Sequence, residues 1–322
     1  MAIVRDIVRP VVRNIVYPVD SKYFNWSSWW SALISATIET AEPTHVVLTF
    51  PSAKVLVSTD ITATVNGVAR VVSSASWTGV VWTVVLDSAV TVFDSIIVTF
   101  VKTGQTQAVT NNVEADGNTV AWFPFDTDYI IKDGANRVSQ WTDKTGLGHH
   151  LPQANGADQP LCSANGVLFD GVSEFLKAAT FAYEQPEMFY LLLKQVTWTN
   201  LEIIVDGDTA NKAILQQTPV TPGLIIYGRH SSASNSNLAV DTFGIIRILF
   251  AGANSTFQID ETARLTGDYG TADANGFTLG AAATGLLRWT NIEVKEVILR
   301  KAIDDAATQT QIYNYLKNTH GL

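Results

Sequence analysis

The sequence contains a single cysteine, Cys162, among 322 residues. That excludes an internal disulfide framework and any zinc site built on several thiolates, and Cys162 reads as a small buried hydrophobe. Charged residues are scarce at 16%, below the roughly 25% of an average soluble domain. The net charge of −9 is the wrong sign for a nucleic-acid binder, which presents a basic face. No run of about 20 apolar residues exists, so no membrane-spanning helix is expected. The apolar N-terminal stretch is broken by arginine or proline every few residues, unlike a secretory signal. A phosphate loop, a G-x-S-x-G elbow and an H-E-x-x-H helix are all missing.

What is present begins with a ladder. "IVRDIVRPVVRNIVYPVD" repeats two β-branched residues, a cation and a small polar residue or proline every four positions. A helix would stack Arg5, Arg9 and Arg13 beside Ile3, Ile7, Val11 and Ile15. Pro10 argues against that, and an extended segment on a sheet edge tolerates the prolines better. Three Arg against one Asp in residues 1–19 leave about −11 on the rest of the chain. The expectation is an arm that docks onto another protein. "DSKYFNWSSWWSALISATIET" follows, with Trp26, Trp29, Trp30 and Leu33 at helical spacing after a capping Asp20 or Ser21. Trp29 and Trp30 are assigned with the arm as partner-docking residues.

From residue 37 the period changes to two. "THVVLTF", "ITATVNGVARVVSSASW", "VVWTVVL" and "DSIIVTFV" alternate apolar and small polar residues, with turn signals at Asn66-Gly67 and Thr78-Gly79. A small β-sandwich is expected over 37–110. Its order of runs resembles the immunoglobulin-like modules of bacterial surface and virion proteins, and it has no Cys–Trp–Cys framework. "TNNVEADGNT" is a polar junction, with 111–118 as linker.

The last two hundred residues carry the most specific pattern. "NRVSQWTDKTGLGHHLPQANGADQPLCSANGVLFDGVSEFLKA" places Val138, Gln140 and Trp141 on a strand entering a turn at Asp143–Gly146. Asp170-Gly171 reads as a hairpin mark. Strand-length runs follow in "FYLLLKQV", "EIIVD", "GLIIYGR" and "FGIIRILFAG". The period then lengthens, with Asp304 or Asp305 starting a helix, Ile312, Tyr315 and Leu316 as its stripe, and Gly321 as its end. The Trp-x-Asp-x-Thr-Gly turn, the Gln-Pro, and Phe-Asp-Gly-x-x-Glu-Phe-Leu together resemble the concanavalin A-like, laminin-G-like jelly rolls, especially those of bacteriophage tail and fibre proteins. The resemblance covers 119–322. It implies an all-β chain: an arm and aromatic connector at 1–36, an immunoglobulin-like sandwich, a linker, and a jelly roll closed by a C-terminal helix.

For catalysis, Glu202 and Asp206 in "EIIVDGD" are the nearest approach to a glycosidase pair. On a regular strand they would lie about 13 Å apart, beyond the roughly 5–9.5 Å that glycosidases use. Asp206-Gly207 reads as a turn, and no enzyme is expected. His149 and His150 are adjacent and would point to opposite faces, which suits no shared metal. No cofactor is expected beyond calcium, for which Asp126, Asp128 and Asp133 are the candidates. Ligand recognition is assigned to Tyr227, Arg229 and His230, where a serine- and asparagine-rich loop leaves a strand. The resemblance then implies a non-enzymatic virion component, tail or capsid fibre-like. It would dock onto other virion proteins through its arm, expose the jelly roll to host glycan, and form a homo-oligomer. A purely structural virion role and a bacterial surface glycan-binding protein are the alternatives.

Overall fold

The computed structural model describes residues 33, 35–51, 57–101, 103–112, 115–229 and 232–322. The expected arm residues Ile3, Arg5, Ile7, Arg9, Val11, Arg13 and Ile15 lie outside them, as do Trp29, Trp30 and His230. Among the described residues the chain is all-β with one α-helix, at the C-terminal end.

Period-two alternation builds the first sandwich. Val46 and Leu48, then Trp82, Val84 and Leu86, alternate with half-exposed neighbours and face Ile61, Ala63, Val65, Val98 and Phe100 across the core. One sheet runs Val72–Thr78, Val81–Leu86, His45–Thr49, Ser35–Glu39 and Thr110–Asn112; the other runs Val68–Arg70, Ile61–Val65, Ile96–Phe100 and Thr106–Ala108. Asn66 and Gly67 turn the hairpin with φ of 53° and 77°. Positive φ at both positions gives the turn whose twist matches that of paired strands. The strand Thr110–Asn112 pairs in parallel with Ser35–Glu39, so sheet pairing extends into the segment read as linker.

The second sandwich packs an eight-stranded sheet on a six-stranded one. At the middle of the first lie Glu187–Gln195, Ile292–Arg300 and Gly244–Phe250. Their sequences are nearly continuous apolar runs because both faces are covered. Phe189, Leu191 and Leu193 enter the core between the sheets, while Met188, Tyr190 and Leu192 face the opposite way into a separate cluster with Ile312, Tyr313 and Leu316 of the C-terminal helix. That helix runs Ala306–His320; Asp305 accepts from Thr308 N–H, and Gly321 closes it at φ 66°. The expected stripe holds for Ile312 and Leu316. Tyr313 rather than Tyr315 completes the buried face, and Tyr315 turns toward Trp122.

Asp170-Gly171 is not a hairpin. The flanking strands Val167–Leu168 and Leu176–Lys177 belong to different sheets, so the turn is a corner between layers. Asp170 Oδ1 accepts from the N–H groups of Val172, Ser173 and Glu174, and Glu174 Oε2 returns a bond from Asp170 N–H at 2.9 Å. Arg137 closes on the other Glu174 oxygen. The Asp-Gly-x-x-Glu spacing is therefore a self-bracing corner. Asp143 has a similar office, accepting from Trp122 N–H, Thr145 N–H and His149 N–H.

The two sandwiches are joined by side chains. Phe93 is 4% exposed, with its ring 5.2 Å from Trp122 and 5.5 Å from Tyr315. Gln311 of the helix donates to Thr91 Oγ1 at 2.7 Å and Asp94 Oδ1 at 2.8 Å. Arg300 grips Asp116, just before the second sandwich begins, through two parallel bonds of 2.7 and 3.0 Å.

Candidate functional site

The outer face of the six-stranded sheet holds a surface site that includes a residue assigned from the sequence. Its strands there are Ile203–Asp206, Ile214–Gln217 and Leu224–Tyr227. Ile214 pairs opposite Tyr227. Leu215, Leu224 and Ile226 point into the main core, leaving Ile214, Ile203 and Ala282 to form a small apolar floor against which the Tyr227 ring packs. Burial raises the Tyr227 phenol above its usual range, with the Arg288 guanidinium pulling it back. It stays neutral near pH 7 and keeps a hydroxyl able to donate and accept.

A β-bulge between Ile203 and Val205 breaks the alternation of the central strand. A bulge re-aims the side chains beyond it. Asp206 consequently turns to the wall of the site: Oδ1 accepts from Gly207 N–H at 2.9 Å and Lys212 N–H at 3.1 Å, and Oδ2 from Ala283 N–H at 3.0 Å. One carboxylate thus ties the 207–213 hairpin loop to the 282–289 loop. It is 1% exposed, and burial raises its pKa above the ordinary carboxylate value. Glu202, four residues earlier, is engaged elsewhere by Thr199 and the Asn291 backbone. The strand therefore presents no facing pair formed by these two acids.

A cavity of about 250 Å³ opens between the two loops, lined by Ile203, Asp206, Asn211, Thr284, Leu287 and Arg288. Asn211 and Arg288 both hold positive φ, 68° and 58°, which turns the loops back over the sheet. The Tyr227 hydroxyl reaches Asn211 Oδ1 at 3.4 Å. The site thus combines an aromatic ring on an apolar floor with a planar amide, a guanidinium and a hydroxyl.

Of the residues assigned from sequence, Tyr227 lies at this site. Arg229 is exposed beyond the strand end, at φ 78°. Asn211, Thr284 and Arg288 were not legible as site residues, because only long-range strand pairing brings their loops to Tyr227. His149 stacks on Phe181 at 4.0 Å, and burial lowers its pKa. His150 accepts from Asp143 N–H. Asp133 closes its own turn onto Ala135 and Arg137 N–H, whereas Asp126 and Asp128 line a cleft between the sandwiches. Among the described residues no three His, Cys, Asp or Glu side chains come together as metal ligands.

No family model and no curated protein matches the chain. Among solved structures it is similar to Trypanosoma rangeli sialidase at 11% identity and a TM-score of 0.46, over 87% of this chain and 49% of that one. The same sialidase in complex with sialic acid matches at 11% identity and 0.47, over 78% and 42%. An arabinofuranosidase complexed with arabinofuranosyl-alpha-1,2-xylobiose matches at 11% and 0.45, over 63% and 59%. The chain thus spans less than two thirds of the length of each, and at these scores none lends it a residue role. The solved structures similar to this chain are thus a sialidase and an arabinofuranosidase, where a non-enzymatic virion structural protein was expected.

Proposed function

We propose that this is a carbohydrate-directed protein whose second sandwich, a concanavalin A-like jelly roll, receives a saccharide on the outer face of its six-stranded sheet at Tyr227. The observation that carries the reading is the Tyr227 ring, seated on Ile203, Ile214 and Ala282, beside a cavity lined by Asn211, Thr284 and Arg288, with the Tyr227 hydroxyl reaching Asn211. A sugar ring offers an apolar C–H face and a rim of hydroxyls. The first suits an aromatic ring, and the second suits planar groups that make two bonds at once. At about 250 Å³, the cavity is smaller than the roughly 300–1,000 Å³ of drug-sized sites, which fits a single ring at a chain end or branch. Asp206 acts as a positioning residue, since its oxygens are occupied in holding the loops.

The test is a glycan array followed by calorimetric titration of the best ligand against wild type, Tyr227→Ala and Arg288→Ala. Both variants are expected to weaken binding at least ten-fold while still unfolding in a cooperative transition. Unchanged affinity in both would remove this face from consideration.

A further inference from the structure

A second surface lies where the sandwiches meet. A cleft of about 660 Å³ is walled on one side by Val92, Thr110 and Asn111 of the first sandwich, and on the other by Trp122, Asp126, Asp128, Tyr129, Lys144 and Thr145 of the second. Its walls are fixed with respect to each other by the Phe93 contacts and the Gln311 bonds, so little ordering is left for a ligand to bring about.

The cleft carries charge of both signs. The Lys144 ammonium sits 4.0 Å over the Trp122 ring and 5.9 Å from the Tyr129 ring centre. Its backbone is pinned beneath it, Lys144 N–H donating to Trp122 O at 2.8 Å. Trp122 is locked in turn by Glu296 Oε1, which accepts from its indole N–H at 2.6 Å. Asp126 and Asp128 line the same cleft and are exposed. Asp126 and the buried Glu296 act on Lys144 through longer-range attraction. An anion entering here would meet two carboxylates, and a small cation would meet Lys144. A neutral polyhydroxylated ligand meets neither obstacle. Its hydroxyls can donate to Asp126 and Asp128 and accept from Lys144, with the half-buried Tyr129 ring beside them.

We infer that this cleft is a second, independent binding site for a neutral oligosaccharide, read by Lys144, Asp126 and Asp128 at the junction of the two sandwiches. It does not rest on the Tyr227 face, and the test is built to separate the two. Cellohexaose, xylohexaose and maltohexaose are titrated calorimetrically into the full chain carrying Tyr227→Ala, then into the same protein with Lys144→Met or Asp128→Asn added. Both added substitutions fall on exposed side chains, and thermal unfolding checks that each variant is folded. The expected result is that at least one of the three binds the Tyr227→Ala protein, and that each added substitution weakens it ten-fold or more. Failure of all three to bind the Tyr227→Ala protein overturns the inference, as does affinity indifferent to both substitutions. Calcium chloride alone, bound by wild type and lost with Asp128→Asn, would also overturn it and mark a cation site.

Discussion

Glu187 offers a perturbation whose size and sign both follow from the structure. It opens the long central strand Glu187–Gln195 and is 0% exposed. Oε1 accepts from Ala274 N–H at 2.6 Å, while Oε2 meets no hydrogen-bond partner among the described residues. Burial raises its pKa from 4.5 to about 8; the Ala274 bond and the Lys212 ammonium oppose the shift, and Asp273 and Glu184 add to it. Below pH 4.5 the acid is protonated folded and unfolded alike, and it costs nothing. Between 4.5 and about 8 the unfolded chain releases a proton that the folded chain keeps, so stability falls as pH rises. Each unit withdraws about 1.4 kcal/mol, or about 5 kcal/mol over the window, and the loss is complete above pH 8. Glu187→Gln mimics the neutral acid and keeps the acceptor for Ala274 N–H. Urea unfolding at half-unit steps from pH 5 to 9 should show the variant matching wild type at the acid end and exceeding it by several kcal/mol at the alkaline end. Two curves running parallel across that range would refute the reasoning.

Further outcomes follow from the packing. Arg300→Met leaves Asp304, 6% exposed and bonded to Arg300 through both oxygens, without its cation, and should cost about 3–5 kcal/mol in chemical denaturation. Phe93→Ala removes the ring wedged between Trp122 and Tyr315; a loss of about 3–5 kcal/mol should appear in calorimetry as separation of the two sandwiches into distinct transitions. Gly270→Ala should fail to fold at 37 °C in a solubility assay, because φ is 111° and an added Cβ would lie 1.7 Å from Gly228 O. Asp206→Asn puts a donor where a backbone N–H now points, at about 1–3 kcal/mol, and should weaken saccharide binding by loosening both loops, read as faster amide exchange in 207–213 and 282–289.

How far the sequence reveals this arrangement depends on the range of the forces involved. Asn66-Gly67, the strand Val138–Trp141, the Asp143 turn and the Asp305–Gly321 helix are local, set by turn geometry, capping and period, and each is legible. Asp170-Gly171 carries the same dipeptide signal as a hairpin, yet the chain leaves one sheet for the other there, a choice that depends on Ile292–Arg300 more than a hundred residues away. The continuous apolar run "EMFYLLLKQ" marks a strand covered on both faces, but nothing local in it says that the C-terminal helix supplies the second cover. The site divides in the same way. Tyr227 stands out because an aromatic residue precedes a polar loop. Asn211 and Arg288 carry no such mark and reach it only through the pairing of Ile203–Asp206 with its neighbours. The bulge that separates Glu202 from Asp206 has no local signature in "EIIVD", and regular alternation would have placed both on one face.

The most direct measurement of the central claim is calorimetric titration of the leading array saccharide into wild type and Tyr227→Ala side by side. A saccharide that binds wild type and loses at least ten-fold affinity in the variant, which still unfolds cooperatively, is the predicted result. Equal affinity in the two proteins, or no saccharide bound by wild type at all, would contradict the account.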